Sequence, residues 1–153
     1  MKPLCWQIVP SLLLVLLGVQ PAFSLPAIIS SSTTSVASNL TLDGKGSAST
    51  HIVKVATLEL STDDSHGFTL TISSQSLTKS GGKTPIPFQV TTVPADDPSP
   101  NDSDFSISTG SNYTVSTTSA GSSSKDMYIK YTPAALQDPG AYNTSISLVI
   151  TDN

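Results

Sequence analysis

From Val36 onward, apolar and polar residues alternate along most of the chain. Val36, Ser38, Leu40 and Leu42 fall on one side of an extended backbone, and Ala37, Asn39 and Thr41 on the other. After a turn at Asp43-Gly44-Lys45-Gly46, Ile52 to Leu60 reads as a second strand. The Asp- and Gly-bearing segment Thr62 to Gly67 suits a hairpin loop. Phe68, Leu70 and Ile72 then face away from Thr69, Thr71 and Ser73, and Ser80 to Lys83 turns the chain again. Ile86, Phe88 and Val90 alternate with Pro87, Gln89 and Thr91. Pro87 cannot donate to a ladder, so this run is expected at a sheet edge or a bulge.

The second half continues the pattern after an irregular stretch, Pro94 to Asp104. Phe105 to Ile107 and Tyr113 to Val115 are short strand candidates, and Gly121 to Ser124 reads as a loop. Met127, Ile129 and Tyr131 share a face, as do Tyr142, Thr144, Ile146, Leu148 and Ile150. Pro133 to Gln137 could form one helical turn. No segment has a sustained 3.6-residue period. The expected fold is all-β: an immunoglobulin-like β-sandwich of seven or eight strands over residues 36–153, after a cleaved signal peptide.

The N-terminus departs from the alternation. Lys2 precedes the apolar run Ser11 to Val19, Pro21 breaks it, and Ala22-Phe23-Ser24 is a small-x-small site. That is the layout of a secretory signal peptide over residues 1–24. The run is too short for a membrane-spanning helix, which needs about 20 apolar residues. Residues 25–35 become a Ser/Thr tract and read as a flexible arm. The expected location is therefore secreted or cell-surface, periplasmic or extracellular, with no transmembrane segment after cleavage. Cys5 is the only cysteine and lies before the apolar run, so the mature chain has no disulfide and no Cys-based chemistry.

Composition narrows the function. Charged residues make up 12% of the chain, there is no Arg, and the formal net charge is -4. Phosphate backbones and anionic membranes attract clustered Lys and Arg, so nucleic acid is not an expected partner. His51 and His66 sit at a strand end and in a loop, without a G-x-S-x-G context, and read as solvated. Glu59 is the only Glu and falls on a polar strand face, so a buried carboxylate pair is not expected. No catalytic residue, cofactor or metal ion is assigned. The nearest to a metal site is the loop holding Asp96, Asp97, Asn101, Asp102 and Asp104, whose hard oxygens suit Ca²⁺ but whose spacing matches no EF-hand. Four N-x-S/T sequons occur, at Asn39, Asn101, Asn112 and Asn143, in a chain where Ser and Thr abound. Tyr128 is the one aromatic expected on an outer face, where a sugar could stack.

Two phrases carry resemblance. Asp138-x-Gly140-x-Tyr142 resembles the tyrosine corner of immunoglobulin-like sandwiches, with Thr144 where a true immunoglobulin domain has cysteine. The run Gly140 to Ile150 resembles the closing strand of bacterial fimbrial subunits and spore coat protein U-like secreted proteins. Gly140 lies about fourteen residues from Asn153, as the glycine of many pilins does. Asp152 stands where many pilins have Tyr, and their common disulfide is missing. The resemblance implies a non-enzymatic structural or adhesive surface protein that meets copies of itself or other subunits through a sheet edge. The other class in play is a monomeric extracellular module binding glycan or calcium. In a seven-strand arrangement the last strand has a vacant edge. Val36 to Leu42 is the expected internal filler, because Ser30 to Ser35 is too polar and Ile28-Ile29 too short.

Overall fold

The computed structural model describes residues 25–38, 40–43, 48–82 and 84–153. The segment expected to be a signal peptide, Cys5, the sequon at Asn39, most of the first turn and Lys83 lie outside the described residues. Seven strands form two antiparallel sheets among them: β1 (Ala27–Thr33), β2 (His51–Thr62), β3 (Phe68–Ser74), β4 (Phe88–Pro94), β5 (Tyr113–Ser116), β6 (Gly121–Tyr131) and β7 (Ile146–Asp152). One sheet runs β1-β2-β6-β4 and the other β5-β3-β7. The fold is a β-sandwich.

Period-2 patterning explains the core. Leu58 and Leu60 from β2, Phe68, Leu70 and Ile72 from β3, Phe88 and Val90 from β4, and Met127, Ile129 and Tyr131 from β6 make one buried cluster between the sheets. Each fully buried aliphatic side chain contributes about 1.5–3 kcal/mol. The opposite positions of β3, Thr69, Thr71 and Ser73, stay partly exposed, as alternation requires. Strand β4 is an edge strand, consistent with Pro87 just before it; Ile86 makes only an isolated bridge to Leu77.

Several expectations are corrected. The Ser/Thr tract expected as a flexible arm is strand β1, which pairs with β2 from Ala27↔Ser61 to Thr33↔Ala56. Val36 to Leu42 is not a strand: Ser35–Ser38 is a 3-10 turn and residues 40–43 are irregular. The cause is local and tertiary together. A bulge in β2 at Val55 leaves backbone groups that take Thr34, whose N–H bonds the Val55 carbonyl at 2.9 Å and whose hydroxyl bonds the Lys54 carbonyl at 2.7 Å. Held there, the chain turns, and Ala37 N–H closes back on the Thr34 carbonyl. Phe105 to Ile107 is loop, Gly121 to Ser124 belongs to β6, and the last strand starts at Ile146, not Tyr142.

The outer face of the larger sheet is not bare. The loop after β4 lies across it. Gln89 donates to the Phe105 and Ile107 carbonyls at 3.0 and 2.8 Å, and the Lys130 ammonium sits 5.3 Å from the Phe105 ring centre. Phe105, Thr91 and Tyr128 are buried there. Tyr128 is therefore no exposed sugar platform. On the same face Asp126 receives the Lys54 ammonium at 2.6 Å and the Thr57 hydroxyl at 2.7 Å.

Candidate functional site: an open cleft between β1 and β7

Strand β7 pairs with β3 on one side only, and β1 pairs with β2 on one side only. Each ends its sheet, and among the described residues no strand lies along the outer edge of either. The expected self-completion by Val36 to Leu42 does not occur, for the reason given above. Between the two edges a cleft opens beside the core, whose residues there, Leu58, Met127 and Ile129, stay buried.

The opening is a cleft in two parts. One, about 290 Å³, has Leu58, Met127 and Ile129 as its floor and Ile146 and Leu148 of β7 as one wall, with Ser31 and Thr33 of β1 opposite. The other, about 520 Å³, lies beyond it between Leu40, Leu42 and Tyr131 on one side and Ala141 and Tyr142 on the other. Both touch Ala37, Leu40, Leu77 and Thr144, so they are continuous. Among the described residues, no charged one lines either part. Ile146, Leu148 and Ile150 of β7 are only partly buried for this reason, although they face the core.

The far wall is clamped. Tyr131 donates its hydroxyl to the Thr41 carbonyl at 3.2 Å. His51 stacks on the Tyr131 ring at 5.2 Å and bonds Asp43 through Nε2 at 2.7 Å. The Ser49 N–H donates to the other Asp43 oxygen, and this bond, assisted by His51 and opposed by burial, holds the Asp43 carboxyl below its usual range. His51 is thus a wall-pinning residue and not the solvated residue expected. Opposite, the Tyr142 hydroxyl reaches the Asp138 carbonyl at 2.9 Å, the geometry of a tyrosine corner. Tyr142 is half-buried, not largely buried as expected, because its ring borders the cleft.

The other candidates do not converge. His66 meets both Asp64 and Ser65 through the same nitrogen, Nδ1, at 3.1 and 3.4 Å. A relay needs two different ring nitrogens, so this trio is a turn arrangement and no triad. Glu59 accepts the Ser124 hydroxyl at 2.7 Å. In the acidic loop, Asp104 accepts the Asn101 N–H at 2.7 Å in a capping box, and Asp102 pairs with Lys130 at 3.2 Å. Asp96 occupies a turn with φ of 68°. Asp96, Asp97, Asp102 and Asp104 are all exposed, and no group of three or more potential metal ligands occurs among the described residues. A shallow hollow near the start of β7, lined by residues such as Gln75, Ser76, Asn143 and Ser145, has neither a charge nor an aromatic face.

Sequence reasoning found the vacant edge of β7 but missed the cleft's walls. The signal for one of them was present in Leu40 and Leu42, two apolar residues in a segment that is not a strand. No helix among the described residues is long and apolar enough to cross a membrane. A scan against protein-family models finds no match for the chain, and a search of curated proteins finds none.

Proposed function

We propose that this chain is an exported, non-enzymatic structural or adhesive surface protein, a fimbrial or coat-like subunit, that assembles by accepting an extended strand into the β1–β7 cleft. The observation that carries this reading is an uncharged cleft, apolar in the part between β1 and β7, bordered on both sides by strand edges with no strand beside them among the described residues. Main-chain bonding along such edges supplies affinity, and alternate side chains entering the floor supply specificity. Left uncovered, the same feature promotes aggregation, so a chain that keeps it is expected to have a use for it. The scattered carboxylates and the tied histidines also support a role without chemistry.

The test is Leu148→Glu in the exporting cell. A charge on the cleft wall is expected to abolish incorporation of the protein into surface assemblies, while circular dichroism shows a folded domain. Unchanged incorporation would overturn the proposal.

A further inference from the structure

We infer that the outer edge of β4 is a self-association edge held shut, and that Tyr113 and Thr109 keep a second copy of this chain from pairing there. This edge lies on the side of the sandwich away from the cleft, and the inference stands without the strand-accepting reading.

Strand β4 ends its sheet and pairs with β6 on one side only. In an antiparallel edge strand, alternate residues turn both main-chain groups away from the sheet. The odd-numbered residues face β6 here, since the Ala95 N–H continues that ladder onto the Ser124 carbonyl at 3.0 Å. Ile86, Phe88, Val90, Thr92 and Pro94 therefore turn theirs outward. Such a row is a template on which another strand can add.

Most of the row is already occupied. Ile86 exchanges two bonds with Leu77, each 2.9 Å long. The Phe88 carbonyl accepts the Thr109 hydroxyl at 2.8 Å. The Thr92 N–H donates to the Tyr113 hydroxyl at 3.3 Å, and the Thr92 hydroxyl lies 3.2 Å from the same oxygen. Pro94 has no N–H, and its carbonyl accepts the Asp97 N–H at 3.3 Å. Only Val90 keeps both outward groups without a partner among the described residues. The edges beside the cleft differ: among the described residues, no side chain or loop bonds the outer main-chain groups of β1 or β7.

The capped groups identify what they exclude. An edge strand can pair with its own copy about a two-fold axis, antiparallel and isologous. With the axis at Val90, Thr92 of one copy faces Phe88 of the other, and the Thr92 N–H bonds the Phe88 carbonyl. Those are the two groups that Tyr113 and Thr109 occupy. Each cap stands where the other copy would bond. Edge strands are commonly guarded by charge, but residues 86–93 carry none, so the hydroxyls take that role. Both are held in place. The Tyr113 ring packs against the core, and Thr109 follows Ile107, whose carbonyl Gln89 holds at 2.8 Å.

The test is the double variant Tyr113→Ala, Thr109→Ala of the exported protein, with Thr109→Ser, which keeps the hydroxyl, as its control. Circular dichroism checks the fold. Sedimentation over a concentration series and hydrogen exchange of the Val90 amide are the readouts. Relative to the natural protein at each concentration, the double variant is expected to approach twice the mass as concentration rises. Exchange of the Val90 N–H is expected to slow in parallel, by roughly tenfold or more. Thr109→Ser is expected to match the natural protein. A folded double variant that keeps the natural mass at every concentration overturns the inference. Association without slower exchange at Val90 overturns it too, because the contact then lies elsewhere. If the double variant does not fold, Thr109→Ala alone leaves the Tyr113 ring on the core and is read by the same two measures. A weaker dimer with slowed Val90 exchange supports the inference, and natural mass with unchanged exchange overturns it. Either result leaves the cleft to its own test, since Leu148→Glu acts on the opposite edge.

Discussion

The Tyr142 hydroxyl donates to the backbone carbonyl of Asp138, four residues upstream, at 2.9 Å. The same hydroxyl accepts from Gln137 Nε2 at 2.6 Å, and Gln137 also donates to the Thr84 carbonyl. One phenol therefore ties the turn before β7 to the loop before β4. Tyr142→Phe keeps the ring at the cleft and removes both bonds. It is expected to cost about 1–2 kcal/mol, read as a melting point lower by several degrees. An unchanged melting point would show that the corner does not hold this turn.

The Lys54–Asp126 pair makes the domain acid-sensitive. Burial alone would raise the Asp126 pKa, but the Lys54 ammonium and the Thr57 hydroxyl outweigh it and hold the carboxyl below its ordinary value. A lowered folded pKa means stability that is complete above about pH 5 and is lost as pH falls through the folded value, since unfolded Asp titrates near 3.9. Asp126→Asn is expected to cost about 1–3 kcal/mol at pH 7 and to flatten the loss as pH falls below about 5. Denaturant titrations across that range measure both.

Two glycines separate conformational cost from contact cost. Gly67 has φ of +84°, and a Cβ there would lie 2.4 Å from the Thr117 carbonyl oxygen. Gly110 has φ of +81° with nothing within 4 Å. Gly110→Ala is expected to cost about 1 kcal/mol, through backbone conformation alone. Gly67→Ala adds a backbone collision and is expected to cost about 1–3 kcal/mol more. Equal melting points for the two variants would mean that the β2–β3 loop yields freely.

The acidic loop is expected to bind Ca²⁺ no tighter than roughly millimolar, the weak end for extracellular modules. Two of its four carboxylates already have partners, Asp104 the Asn101 N–H and Asp102 Lys130, and no three potential ligands converge among the described residues. Calorimetric titration with Ca²⁺ checks this, and a micromolar Kd would contradict it.

The proposed export predicts its own product. The intact mass of the exported protein is expected to place the mature N-terminus within a few residues of Leu25, from the Ala22-x-Ser24 site. The full-length chain recovered in the membrane fraction would count against it.

The pattern of the sequence alone determined the class of fold and much of its core. Phe68, Leu70 and Ile72, or Met127, Ile129 and Tyr131, can bury one face only as strands, and the tyrosine corner is spelled out within five residues. These are local signals of fixed period. The edges were another matter. Val36 to Leu42 alternates better than Ala27 to Thr33, yet the latter is the strand. What decided it was a non-local bond set: Thr34 captured by the Val55 bulge, and the β2 backbone offering a ladder to residues 27–33. Tyr128 looked exposed by parity and became buried because a loop some twenty residues upstream folds across its face. The cleft itself belongs to no segment. It exists because the sheet orders leave β1 and β7 on facing edges, and strand order depends on backbone pairings between distant residues that alternation cannot encode.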